Sequence, residues 1–204
     1  SPLTGQMENW GLAADEFTDN DNLPHQLYVR EARRMVGEYV MTEGNTAKDG
    51  SRVAPNPVGV GGYPMDSHNT HRFIDTDGRV EIEGNFWLGS DSKDEYNIDF
   101  GTITPQQAEA DNLVVVAALS GSHTAFGSMR MEPVFMVLGQ SGGTAVVRAL
   151  EEGVAVQQID FPVYQKILRQ YGQILTVDSE PATQPFQGTM YEQFDYGPDG
   201  NALG

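Results

Sequence analysis

The run from residue 113 to residue 145 constrains the fold more than any other part of this chain. Residues 113–119 (LVVVAAL) are a short continuous apolar segment, the pattern of a strand buried on both faces. Gly121, Ser122 and His123 then break it. Pro133 stands where a first helical residue is favoured, because its missing N–H would be unpaired there anyway. The spacing therefore predicts strand, loop, helix. The helix covers residues 134–152, with Val134, Val137, Leu138, Ser141, Ala145 and Ala149 on one stripe and Gly153 as a stop. The open amides and positive dipole end of such a helix attract anionic groups. Gly121, Gly127, Gly139, Gly142 and Gly143 remove side chains where a flat ligand or another backbone approaches closely. A glycine inside a helix costs about 0.5–1 kcal/mol relative to alanine, so the adjacent pair Gly142 and Gly143 calls for a compensating contact. Spacing alone leaves two readings open: a ligand-facing loop feeding a helix, or a glycine-rich helix packed on a sheet.

The wording of residues 120–145, SGSHTAFGSMRMEPVFMVLGQSGGTA, adds to this. It resembles the C-terminal flavin-contacting signature of the FAD-dependent oxidoreductase family whose members are sometimes labelled xanthan lyase-like, in the glutathione-reductase-type flavoprotein superfamily. Residues 27–43 (LYVREARRMVGEYVMTE) resemble the family's Arg-Glu-x-Arg-Arg element, and residues 62–68 (GYPMDSH) its Asp-x-His loop. Residues 112–116 (NLVVV), entered from Ile103, Thr104 and Pro105, resemble the last strand of its nucleotide-binding domain. The pieces occur in the family's order. The resemblance implies a mixed α/β chain (α+β as a fragment): the C-terminal part of an FAD-binding Rossmann-like domain with part of a β-rich substrate domain. It implies FAD as cofactor, with Ser122, Gly127, Ser128, Arg130, Met131, Glu132, Pro133 and Val134 on the cofactor side.

The departures are as informative. The superfamily opens with a strand, a Gly-x-Gly-x-x-Gly turn and a helix that hold the FAD pyrophosphate. The nearest match is Gly59, Gly61 and Gly62, but Pro64 occupies the third glycine's place, Pro55 and Pro57 crowd the approach, and no helix pattern follows. That stretch reads as a loop. Gly142 stands where the resemblance implies alanine, and Asp99 where it implies proline. The chain also starts at Ser1 rather than methionine, and it reads as the C-terminal part of a longer polypeptide whose N-terminal FAD-binding portion is its partner.

Composition excludes several classes. Of 204 residues, 39% are hydrophobic, enough for a core. The net charge of −17 argues against nucleic acid or an anionic membrane as partner, since both require basic patches, and favours a neutral or cationic substrate. With no cysteine, disulfides, cysteine-ligated zinc, iron–sulfur clusters and flavin attachment through sulfur are ruled out. No apolar run approaches the roughly 20 residues that span a bilayer, and no signal peptide is visible.

The remaining segments divide into an acidic surface stretch (1–22), part of a substrate or cap domain (23–102), the C-terminal part of an FAD-binding domain (103–175) and a weakly ordered acidic tail (176–204). A short helix is expected near Trp10 to Phe17. In residues 26–42, Tyr28, Val29, Val36, Tyr39 and Val40 favour a strand while residues 31–35 favour a helix, and the resemblance implies the strand. Residues 44–62 read as a long loop. Residues 70–86 read as a hairpin turning at Thr76, Asp77 and Gly78. A second helix covers residues 162–171, with Val163, Ile167 and Leu168 inward and Gly172 ending it.

A flavin supplies the redox step, and the protein positions the substrate and manages its proton. Histidine suits that task near neutral pH. His68 is the expected substrate-side acid or base, and His123 a flavin-loop residue sharing the role. Tyr63, Asp66 and Arg130 are expected on the substrate side, a small molecule or saccharide, with Arg130 offering a planar donor fork. The bland alternatives are backbone-satisfied histidines, an Arg130–Glu132 pair or helix cap, and Tyr63 and Phe126 as packing. Arg30, Arg33 and Arg34 read as structural. Asp66, His68 and His71 group two imidazoles with a carboxylate, which would suit a metal, but no His-Glu-x-x-His frame surrounds them and no metal is expected. Two other functions stay open: a non-catalytic carbohydrate-binding or interaction module, and a metal-dependent hydrolase. No residue supports the lyase label.

Overall fold

The computed structural model describes residues 11–26, 29–84, 86–88, 91 and 93–178. The chain divides into two compact units, Ser1–Ala32 and Arg33–Gly204. In the first, the helix expected near Trp10 to Phe17 is replaced over residues 11–17 by turns, and Trp10 lies outside the described residues. Among the described residues the one backbone bond within that stretch is from the Glu16 N–H to the Ala13 carbonyl at 3.4 Å, and Phe17 adopts a left-handed φ of 49°. One turn does not repay helix nucleation. The Phe17 carbonyl instead accepts from Asn20 and Asn22, and its ring meets His25 edge-on.

The second unit is a mixture of helices and small antiparallel sheets. Its elements are α1 (Glu43–Thr46), β1 (Pro57–Gly61), β2 (Met65–Ser67), β3 (His71–Ile74), β4 (Val80–Glu83), β5 (Phe86–Leu88), β6 (Tyr96–Asp99), α2 (His123–Met129), α3 (Glu132–Glu152) and α4 (Phe161–Gln170). The strands pair as β1–β6, β2–β5 and β3–β4, all antiparallel. A shared core joins Met41, Val58, Ile98 and Phe100 to Leu119, Phe126, Leu138, Tyr164 and Leu168.

The long helix forms as the spacing predicts. Pro133 lies in its first turn, Val134, Leu138, Ser141 and Ala145 are buried, and Gly153 caps it with a left-handed φ of 65°. It seats on β1 without room for a side chain: a Cβ at Gly59 would lie 2.8 Å from Val137 Cγ1. Ser141 Oγ donates to the Val58 carbonyl at 2.8 Å. Tyr164 on α4 donates to the Ser141 carbonyl at 2.9 Å, and Phe100, Phe161 and Tyr164 stack around that contact. Burial pushes the Tyr164 phenol up, opposed by its bond at Ser141. The inward residues of α4 are thus Tyr164 and Leu168, while Val163, expected inward, is exposed. The aromatic stripe through Phe161 fixes the helix rotation.

Three strand or loop expectations are corrected. Residues 113–119 are not a strand, and no strand among the described residues pairs with them. The segment is held at separated points, with Val115 N donating to the Ile103 carbonyl and the Ala118 carbonyl accepting from Met35. Val114 and Val116 cover α3 at Gly142, where a Cβ would meet Val114 Cγ1 at 2.7 Å. That is the contact the glycine pair called for, and it involves Gly142 alone. Residues 29–42 form no strand either, only isolated bridges of Gly37 with Pro105 and Met41 with Gly121, while Leu27 and Tyr28 lie outside the described residues. Residues 44–62 are more ordered than expected: α1 ends there and all of β1 lies there. The hairpin is found as read, with His71 opposite Glu83, Ile74 opposite Val80 and Gly78 at φ 80°. The tail from residue 179 lies outside the described residues.

Nothing within 4 Å would meet a Cβ at Gly139, an exposed interior position of α3. Gly139→Ala is expected to stabilise the chain by about 0.5–1 kcal/mol through helix propensity. That raises the melting temperature by roughly 1–4 °C; thermal unfolding followed by circular dichroism checks it.

Candidate active site

Strand β2 and helix α2 build the site together. Alternation along β2 buries Met65 and Ser67 and leaves Asp66 on the other side, part-exposed. Helix α2 forms where a loop is expected, because Ser122 caps it, its Oγ accepting from Ala125 N at 3.2 Å, and because Ala125, Phe126 and Met129 are buried. Arg34 steadies its start: Nε donates to the Gly121 carbonyl at 2.9 Å and the guanidinium lies over the Phe126 ring at 5.1 Å. The helix sits directly on β2, since a Cβ at Gly127 would lie 2.3 Å from the Asp66 carbonyl oxygen.

This packing brings His123 to β2. Its Nε2 meets the Ser67 hydroxyl in a short hydrogen bond and lies 3.1 Å from the Gly84 carbonyl. Ser67 is 1% exposed. His68, the next residue beyond β2, is exposed. The Arg130 side chain is buried; Nη2 donates to the Asp66 carbonyl at 3.2 Å and stands 4.0 Å from Asp66 Oδ2. Arg130 also ends α2, with its N–H on the Phe126 carbonyl. Asp66, His123 and Arg130 are therefore gathered around one short strand, with His68 at its end. Tyr63 is exposed as a side chain, and its carbonyl accepts from Ser128.

The cofactor-side positions separate into two groups. Gly127, Ser128 and Val134 are internal: Gly127 against β2, Ser128 between the Tyr63 carbonyl and the Tyr96 hydroxyl (2.5 Å), and Val134 in the core. Burial pushes the Tyr96 phenol up, and the Ser128 hydrogen bond opposes the shift. Met131 is half-buried, and Glu132 and Pro133 are exposed at the start of α3. The N-cap of this 21-residue helix is Met131, which brings no side-chain acceptor to the first-turn amides. That end fits the acceptor-rich edge of a flavin ring. The glycines near residue 60 do not fit a diphosphate. A Cβ at Gly61 would lie 2.8 Å from the Tyr96 ring and at Gly62 2.5 Å from the Asp94 carbonyl, so protein already fills both places.

Elsewhere, a polar cleft of about 410 Å3 is lined by residues including Glu38, Asn56, Asp99 and Gln157 and by none of the expected site residues. Asp99 is buried there, which pushes its carboxyl up, while amide donation from Asn56 and Gly101 holds it down. No three His, Asp or Glu side chains among the described residues come together to hold a metal ion, Asp66, His68 and His71 included; His71 lies 3.9 Å from Glu83 across the hairpin. No helix is long and apolar enough to cross a membrane among the described residues.

Ser67 was missed by sequence reasoning, although the Met65-Asp66-Ser67 alternation was available to mark it as the inward neighbour of the site. No curated protein and no solved structure matches the chain. A family profile described as FAD dependent oxidoreductase matches residues 3–168, which include β2, α2 and α3. With most of its length inside that match, the chain belongs to the FAD dependent oxidoreductase family.

Proposed function

We propose that this chain supplies the flavin-ring side and part of the substrate region of an FAD-dependent oxidoreductase that moves hydride between an organic hydroxyl compound, a saccharide in the first instance, and flavin. One observation carries the reading: the family match spans a site in which two histidines and a held arginine accompany the start of a long helix with no side-chain cap. When bound, a flavin would supply the hydride acceptor. The first-turn backbone around Met131, Glu132 and Pro133 would hold the ring edge, with Arg130 behind it. His68, exposed at the end of β2, receives the substrate hydroxyl proton, and His123 shares the acid/base role as a donor to the substrate oxygen. Asp66 and Tyr63 border the substrate.

The diphosphate end is held by the N-terminal FAD-binding portion of the same polypeptide, outside this chain. Two features support this division. Residues 114–116 are half-buried with no partner strand among the described residues, as an edge awaiting a neighbour would be. The outer face of α3 exposes Met136 and Leu150 on either side of Gly139 and Gly143, over which a second helix has room to pack.

The test is anaerobic reduction of the complete polypeptide loaded with FAD. Addition of mono- and oligosaccharides is expected to bleach the flavin absorbance. A complete polypeptide that binds saccharide but takes up no FAD overturns the reading in favour of a binding module.

A further inference from the structure

We propose that Ser67 is a positioning residue that fixes the tautomer of His123, placing the neutral ring's proton on Nδ1. The inference rests on the reading of His123 as a proton-handling residue only for its catalytic consequence; the tautomer itself is a property of this chain.

Nε2 of His123 faces two oxygens of different character: the Ser67 hydroxyl, which donates or accepts, and the Gly84 carbonyl at 3.1 Å, which only accepts. Ser67 is fully buried inside β2, and among the described residues Nε2 is the one hydrogen-bond partner of its hydroxyl. If Nε2 carried the proton in the neutral ring, that hydroxyl would be left without an acceptor in the interior, a costlier loss than an imperfectly placed carbonyl at a part-exposed glycine. The neutral ring is therefore held by Ser67 donating to Nε2. Once the ring gains a second proton, Nε2–H donates to the Gly84 carbonyl. The two oxygens divide the two protonation states between them, so the ring keeps its place as its charge changes. Gly84 is suited to this: it holds a φ of 83°, and a Cβ there would come 2.7 Å from Thr70 Oγ1 and 3.3 Å from Nε2.

The test is the two-bond proton–nitrogen correlation of the His123 ring in the chain labelled with 15N-histidine, recorded at a pH above its titration. The wild type is expected to show a pyrrole-like Nδ1 and a pyridine-like Nε2. Ser67→Ala is expected to switch the ring to the Nε2–H form, now bonded to Gly84, and Ser67→Thr to restore the original pattern. A wild-type ring already protonated at Nε2, or a pattern unchanged in Ser67→Ala, overturns the proposal; the wild-type spectrum alone decides the first point without any variant. In the FAD-loaded complete polypeptide, Ser67→Ala removes the Nδ1–H donor and is expected to slow flavin reduction by substrate about tenfold, with recovery in Ser67→Thr. A tautomer switch with an unchanged reduction rate keeps Ser67's positioning and removes His123 from the reaction.

Discussion

Replacing Gly127 with alanine is expected to destabilise the chain by about 3 kcal/mol, at the upper end of overpacking costs. The melting temperature would fall by roughly 6–12 °C. The new methyl would lie 2.3 Å from the Asp66 carbonyl oxygen and 2.9 Å from its carbon, so the obstacle is backbone that cannot rotate away. Either α2 lifts from β2 or the strand bends. Both movements separate His123 from Ser67 and Arg130 from the Asp66 carbonyl, the contacts that gather the site. Denaturant or thermal unfolding measures the loss. An unchanged melting temperature would mean that α2 is not seated on β2. Gly139→Ala is the internal contrast: the same chemical change with open space above it.

The second large effect concerns the histidines. His68→Ala and His123→Ala are each expected to slow flavin reduction by substrate about 100-fold in the complete FAD-loaded polypeptide, the lower bound for loss of a general acid or base. If the two share one proton path, the double variant loses less than the product of the single losses, because residues acting together are not additive. Stopped-flow reduction under anaerobic conditions measures all three. An unchanged rate in His68→Ala would remove that residue from the mechanism. His123→Ala also leaves the buried Ser67 hydroxyl without its partner, so its unfolding is measured alongside to separate stability from rate.

Glycines were the ambiguous signal in this sequence. Gly127, Gly59, Gly61 and Gly142 are each explained by a specific neighbour, namely the Asp66 backbone, Val137, the Tyr96 ring and Val114. Gly139 and Gly143 face open space. Sequence spacing does not separate these cases, because absence of a side chain says that something approaches and not what. Residues 113–119 show the converse limit. Their apolar run correctly marks a segment packed on α3, but a strand is a statement about neighbours as well as composition, and none of the described strands pairs there.

By itself the sequence determined the long helix, its proline entry and glycine exit, the hairpin turning at Asp77 and Gly78, and the family, since each depends on local rules of period, capping and turn conformation or on a motif read in order. The tertiary structure decided that His123 opens a helix and not a loop, that Ser128 and Gly127 face inward, that Tyr164 and not Val163 fills the core, and that Ser67 belongs to the site. Most of those facts depend on contacts between residues far apart in sequence, such as Ser67 with His123, 56 positions apart, and Asp66 with Arg130, 64 apart. Local propensity carries no information about which distant backbone arrives beside a side chain. That is settled when burial and hydrogen bonding across the whole unit are satisfied together.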